Sequence, residues 1–196
     1  MRACLTGGIA CGKSLLSHYL NELGVETIDA DDIVHELIPD PAERRRMAAE
    51  VFADPEKRKA LEAKIHPLVK ARIEAFISGV SGNSGFSGYS GSSGHSGDSG
   101  IRIAVIPLLF ETHWDTEYDI ICCVASERET QISRMMATRG YTREEAEARL
   151  AAQLPVAEKA AKSHYVIDNN GTAEELRSKA EEFVKWLKNS MCSPAR

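Results

Sequence analysis

Apolar residues fall along this chain in two alternating rhythms. Short β-branched runs at residues 2–6, 25–28, 101–107, 119–125 and 164–168 predict five strands covered on both faces. Between them the spacing becomes helical. Leu15, Leu16, Tyr19, Leu20 and Leu23 share one face, which ends at Gly24 in a C-cap position. Leu176, Ala180, Phe183, Val184 and Leu187 form another face, suited to packing on a sheet. Alternating strands and helices predict an α/β protein. Three hydroxyl residues followed three positions later by Glu, Ser126 with Glu129, Thr142 with Glu145 and Thr172 with Glu175, predict capping boxes at three helix starts. His66-Pro67 interrupts a helical pattern running from Leu61 to Phe76, where proline is expected to bend or end the helix.

One stretch has neither rhythm. Residues 78–100 hold eight Ser-Gly pairs in a period of three and without proline, which predicts a flexible linker and excludes collagen. The linker joins a helix to the amino end of the strand at Ile101. In an open α/β sheet ligands gather at the carboxyl ends, so it is expected on the face away from any site.

Composition narrows the class. With 43% hydrophobic and 27% charged residues the chain can bury an ordinary globular core. A net charge of −5 without a long basic run argues against nucleic acid as a partner. No apolar run approaches the roughly 20 residues of a membrane helix, and an export signal would overlap the glycines from Gly7 onward. The expectation is a cytoplasmic protein with no membrane partner, acting as a monomer. Five cysteines without C-x-x-C spacing exclude a disulfide framework, and Cys4, Cys122 and Cys123 read as small buried hydrophobes.

The chemistry is concentrated near the amino terminus. Gly7 to Ser14, Gly-Gly-Ile-Ala-Cys-Gly-Lys-Ser, fits G-x-x-x-x-G-K-[ST] between a predicted strand and a predicted helix. In that pattern main-chain amides curl around phosphate oxygens, Lys13 reaches the β- and γ-phosphates, and Ser14 offers a hydroxyl to Mg²⁺. The predicted ATP-binding set is Gly8, Ile9, Ala10, Cys11, Gly12, Lys13, Ser14 and Leu15. Cys11 is expected to carry a lowered thiol pKa from the helix end, which would make it reactive. A P-loop leaves kinases, GTPases and ATPases open, and no Asn-Lys-x-Asp guanine-reading tetrapeptide occurs.

Further candidates cluster at predicted strand ends. Asp29 and Asp31 are read as closing the second strand on one side of it, where they would orient a hydroxyl acceptor and take its proton. The alternative for Asp29 is an N-cap of the next helix. Glu111, after the third strand, is a candidate for acceptor or for water-coordinated Mg²⁺, or is a plain helix-start acid. Arg139, Arg143, Arg149 and Gln153 decorate a segment poor in large apolar residues, so they are expected either on a lid that closes over the transferring phosphate or on a solvated face. His66 is either a structural cap or a substrate contact.

Taken together these motifs resemble one family, dephospho-coenzyme A kinase. The resemblance runs through Leu5-Thr6-Gly7-Gly8-Ile9 with Gly12-Lys13-Ser14, Ile28-Asp29-Ala30-Asp31, Ile65-His66-Pro67-Leu68-Val69, Pro107-Leu108-Leu109-Phe110-Glu111, Arg139, Arg149 with Gln153, and Val166-Ile167-Asp168-Asn169. It implies a three-layer α/β/α P-loop NTPase fold with a five-stranded parallel sheet, a helical lid (139–163) and a small helical acceptor-binding insertion (32–77) within one kinase domain spanning 1–196. It also implies ATP and dephospho-CoA as substrates, with Mg²⁺. Asp31 matches the family's catalytic base and Arg139 its lid arginine, beside Lys13 as the third catalytic group. Asp29, His66, Glu111 and Arg149 are the implied acceptor contacts. The stretch between Leu37 and Arg44 is shorter than in relatives, which implies a reduced acceptor-binding part. The alternatives are a kinase of another nucleotide or small alcohol, and a nucleotide-binding module without turnover.

Overall fold

A computed structural model of the protein describes residues 1–79 and 100–192. The Ser-Gly repeat between residues 80 and 99, and with it the expected linker, lies outside the described residues. The chain divides into two compact units, Met1–Thr27 with Gly91–Arg196 and Ile28–Ser90.

The first unit is built on β1 (Ala3–Gly7), β3 (Arg102–Val105), β4 (Ile120–Ala125) and β5 (Tyr165–Asp168), and it contains the start of β2 (Glu26–Asp29). The sheet order is β2-β3-β1-β4-β5, and β1 pairs in parallel with both β3 and β4. All five strands lie within two residues of the runs read from the sequence. Alternate side chains explain why those runs are continuously apolar. Leu5, Ile103, Val105, Cys122 and Val124 share a core with Leu16 and Leu20 of α1 (Lys13–Glu22) and with Leu176, Phe183 and Leu187 of α8 (Ala173–Cys192). Cys4, Ala104 and Cys123 occupy the intervening positions and are equally buried. The short helix α7 (Val156–Ala161) packs on β4 and β1. Burying Leu5, Leu16, Leu20, Phe183 and Leu187 contributes about 1.5–3 kcal/mol each, before conformational entropy is set against it.

The order places β1 at the point where successive connections leave in opposite directions, toward β3 on one side and β4 on the other. In such sheets a crevice opens beyond the carboxyl end of that strand. Gly7, the last residue of β1, therefore feeds the P-loop into the crevice.

Two of the three expected capping boxes are present. Thr142 opens α6 (Arg143–Ala151), with Glu145 N–H donating to its hydroxyl and its own N–H donating to Glu145. Thr172 and Glu175 exchange the same pair of bonds before α8. Ser126 does not cap: α5 (Arg128–Arg139) begins after Glu127, and the Ser126 hydroxyl donates to Asn169 O at 2.8 Å. The pattern was present, but a buried partner across the sheet outcompeted the local N–H.

The second unit holds α2 (Ala30–Leu37), α3 (Pro41–Ala53) and α4 (Pro55–Ile77), with α2 and α3 both packed on α4. Helix α4 runs unbroken through Pro67, so of the expected bend or end at His66-Pro67 the end is corrected. The helix extends twelve residues before and ten after this proline. Buried Val69 and Ile73 follow on the same helix, and Ile33 of α2 is buried as well. The short connection from α2 to α3 is locked by Arg44, whose guanidinium donates to Ile38 O at 2.6 Å and Pro39 O at 3.0 Å.

Candidate active site

The P-loop turns on three unusual backbone positions. Gly7 (φ 147°) and Gly12 (φ 94°) lie in the region that favours glycine, and Ala10 (φ 58°) is left-handed although it carries a side chain. A Cβ at Gly7 would run into the Val124 carbonyl, and one at Gly12 into the Asn169 side chain. Gly12 is the residue before α1, a helix with no acidic side chain in its first turn. Its N-terminal amides and dipole therefore face no competing carboxylate from the helix itself.

What holds this shape is a set of side-chain donors on the loop's carbonyls. Lys13 Nζ donates to Gly7 O at 3.0 Å and Gly8 O at 2.9 Å. Gln131 Nε2 donates to Ile9 O at 2.6 Å, Arg134 to Ala10 O at 3.4 Å, and Asn169 Nδ2 to Cys11 O at 2.9 Å. Each carbonyl from Gly7 to Cys11 is thus drawn onto a donor of the protein. A carbonyl turned toward a phosphate would repel it, so anchoring all five preorganises the loop for an anion.

Ile9 is gripped at both ends, because its N–H also donates to Gln153 Oε1 at 3.0 Å. Gln131 lies on α5 and is 3% exposed, while Gln153 follows α6. Ile9 and Ala10 also pack against Ile132, Met135 and Ala146 of those helices. The helical segment expected as a lid is therefore fastened to the phosphate loop. Gln131→Leu should raise the KM for ATP about tenfold, the equivalent of one lost hydrogen bond, with kcat and the acceptor KM within about twofold. Steady-state kinetics with each substrate varied checks this, and an unchanged ATP KM would remove Gln131 from the cradle.

Cys11 departs from expectation. Its side chain is fully buried, and burial raises its pKa from the ordinary value of 9.0, the nearby Lys13 opposing this only in part. The helix end is outweighed by desolvation. Burial likewise raises Cys4 and Cys122, and pushes Cys123 up to about 12. With thiolate the minor form at neutral pH, Cys11 should resist iodoacetamide in the folded protein and react only after unfolding. Intact mass followed over time at pH 7.5 checks this, and rapid labelling of Cys11 at native temperature would contradict the burial.

The remaining candidates distribute as follows. Asp29 is the N-cap of α2, its Oδ1 accepting from Asp31 N–H at 2.8 Å, and Asp31 stands in the first helical turn rather than on the strand. The expected strand alternation of Asp29 and Asp31 is therefore replaced by a cap and an exposed helical carboxylate, because Ala30 already takes helical geometry. His66 lies mid-way along α4, half-buried. Arg139 is the exposed last residue of α5, before Gly140 in a left-handed C-cap. Arg149 stacks 4.2 Å from the Tyr141 ring centroid. Arg143 is held by Glu129 at 2.7 Å and Glu147 at 3.3 Å on a solvated face. Ser14 and Leu15 are exposed at the start of α1.

Glu111 occupies the turn after β3 and is engaged by the protein. Its Oε1 accepts from Leu154 N–H at 3.0 Å and meets Lys159 Nζ at 2.7 Å. Lys159, on α7, is fully buried and also donates to Pro107 O at 2.8 Å. Sequence reading missed Lys159, Gln131 and Arg134, which sit among ordinary charged and polar helix residues. Of the side chains that hold the loop, Lys13, Gln153 and Asn169 lie inside motifs read from the sequence.

A parallel sheet with a glycine loop at its switch point, a lysine folded into that loop and a helix directly behind it define a P-loop nucleotide-binding protein of the α/β class. The particular family, a kinase, follows from the sequence. The dephospho-CoA kinase family profile matches residues 1–43 and 94–175. The dephospho-CoA kinase of Geobacter sulfurreducens is 38% identical over 207 residues, covering 94% of this chain and 96% of the relative. Among solved structures, TT1252 from Thermus thermophilus superposes with a TM-score of 0.73 at 29% identity, covering 95% of this chain and 99% of that one. A dephospho-CoA kinase from Campylobacter jejuni shares the fold at TM-score 0.65 and 22% identity, covering 96% and 98%. The chain belongs to the dephospho-CoA kinase family.

Proposed function

We propose that the chain transfers the γ-phosphoryl group of ATP to the ribose 3′-hydroxyl of dephospho-CoA, giving coenzyme A and ADP. Family membership supports the reaction, and the anchoring of all five carbonyls from Gly7 to Cys11 is the observation that supports triphosphate binding by this chain's own loop. In this reading the 3′-oxygen forms a bond to the γ-phosphorus as the bond to the β–γ bridging oxygen breaks, and the hydroxyl proton passes to the Asp31 carboxylate. Lys13 and Arg139 neutralise charge on the transferred group. Asp29 fixes the turn that presents Asp31, and His66, Glu111 and Arg149 contribute to acceptor binding.

Among the described residues no group of three His, Cys, Asp or Glu side chains is placed to hold a metal ion. Ser14 supplies one hydroxyl, which suits Mg²⁺ that arrives on the triphosphate with phosphate and water as its other ligands. There the cation would neutralise the β- and γ-oxygens. Among the described residues no helix is long and apolar enough to cross a membrane. We place the enzyme in the cytoplasm as a monomer, a state that light scattering of the purified chain tests directly.

The deciding experiment incubates the purified chain with ATP, Mg²⁺ and dephospho-CoA and follows the acceptor by mass. Appearance of coenzyme A supports the reading. ATP binding without a phosphorylated product, or turnover only with another alcohol, would overturn it.

A further inference from the structure

Glu111 uses its two oxygens unequally. Oε1 receives both the Leu154 N–H, at 3.0 Å, and the Lys159 ammonium, at 2.7 Å, whereas Oε2 is buried with no hydrogen-bond partner among the described residues. A buried carboxylate oxygen without a donor costs about 1–3 kcal/mol, and such atoms in native proteins call for an explanation. Lys159 is the second anomaly. It is wholly buried, on a six-residue helix, and among the described residues its Nζ reaches toward the β3 turn, meeting Pro107 O at 2.8 Å and Glu111. A buried lysine costs desolvation that one carboxylate repays only with good geometry. A hydrophobic residue would fill α7 at lower cost, so the pair is retained for what it does to Glu111. It lies beyond the carboxyl end of β3, the strand beside β1, which is the face where an α/β sheet presents groups to ligands.

We propose that Lys159 is a positioning residue for phosphoryl transfer, which by occupying Oε1 of Glu111 fixes the carboxylate so that Oε2 accepts a hydrogen bond from a hydroxyl of the phosphate acceptor. The inference rests on the reading of Glu111 as an acceptor contact and adds the device that orients it. The two donors come from the loop after α6 and from α7, so the carboxylate cannot turn without breaking a bond to each. The missing donor is supplied by a neutral hydroxyl of a nucleoside or pantetheine-like alcohol. An ammonium group would place a second cation against the buried pair.

The test is a cycle of Glu111→Gln, Lys159→Met and the double variant, with KM for dephospho-CoA, KM for ATP and kcat measured for each, alongside Lys159→Arg. Glu111→Gln should raise the acceptor KM about tenfold. Lys159→Met should do the same while the ATP KM stays within about twofold, a split that a general loss of packing would not produce. Lys159→Arg should restore part of the loss, and the double variant should match Glu111→Gln alone because Lys159 acts only through Glu111. An unchanged acceptor KM in Glu111→Gln overturns the reading of Glu111 itself. A normal Glu111→Gln effect with an unchanged acceptor KM in Lys159→Met, or with ATP and acceptor KM rising together, overturns the role of Lys159 and leaves Glu111 standing. If Lys159→Met fails to fold because it strands a buried carboxylate, the double variant removes both charges and still decides. A double variant much worse than Glu111→Gln alone overturns the proposal.

Discussion

Lys13→Met is expected to lower kcat about a thousandfold in a protein that remains folded. The physical reason is where the ammonium is held. Lysine is a point charge on a flexible four-carbon stem, and a charge free to swing contributes little to a transition state. Here the stem is folded back so that Nζ contacts Gly7 O and Gly8 O at 3.0 and 2.9 Å, against the first turn of the phosphate loop. In phosphoryl transfer negative charge spreads over the equatorial oxygens, so a cation already fixed in the cradle needs no reorganisation as that charge develops. Met keeps the stem and its packing but removes the charge and two carbonyl anchors. Lys13→Arg should not rescue, because the broad planar guanidinium does not occupy the place of a compact ammonium point charge on a four-carbon stem. Single-turnover rates, with circular dichroism to verify the fold, check the prediction, and a kcat within tenfold of wild type would remove Lys13 from the reaction.

The framework of this fold was legible because its causes are local. The apolar run Ile120–Ala125 has to be buried on both faces, and β4, an interior strand between β1 and β5, allows it. Gly7 and Gly12 take positive φ where a Cβ would meet the Val124 carbonyl and the Asn169 side chain, and their spacing to Lys13 is a local pattern, so the phosphate loop could be read without coordinates. Thr142 with Glu145 and Thr172 with Glu175 cap their helices because each pair needs nothing beyond four consecutive residues.

What could not be read has long-range causes. Ser126 carries the same local signal as Thr142, yet its hydroxyl goes to Asn169, 43 residues away in sequence. Gln131 and Arg134 look like solvated helix residues until the chain brings Ile9 and Ala10 to them across more than 120 positions. Cys11 follows the same logic. Its neighbours in sequence predict an activated thiol, and its neighbours in space bury it. Lys159 and Glu111, 48 residues apart, carry no mutual signal, and the motif around Glu111 points to a ligand without showing that a lysine reaches one of its oxygens first.

Asp31→Asn is expected to lower kcat at least about a hundredfold, with ATP affinity near that of wild type. The capping geometry separates the roles of the two neighbouring carboxylates. Asp29 spends Oδ1 on the Asp31 amide at 2.8 Å, so its task is to set the helix start, while the Asp31 side chain leaves the first turn of α2. Asn keeps the shape and still accepts a hydrogen bond from a hydroxyl, but it cannot accept the proton, so substrate binding should persist as turnover is lost. Asn at position 29 is the control: it caps a helix about as well as Asp, so Asp29→Asn should cost kcat no more than about threefold. The two carboxamides thus distinguish a base from a cap. If Asp31 is the base, the acid limb of the pH–rate profile should also disappear in Asp31→Asn and persist in Asp29→Asn. Equal losses in both variants, or an Asp31→Asn enzyme that keeps most of its rate, would show that the proton leaves by another route.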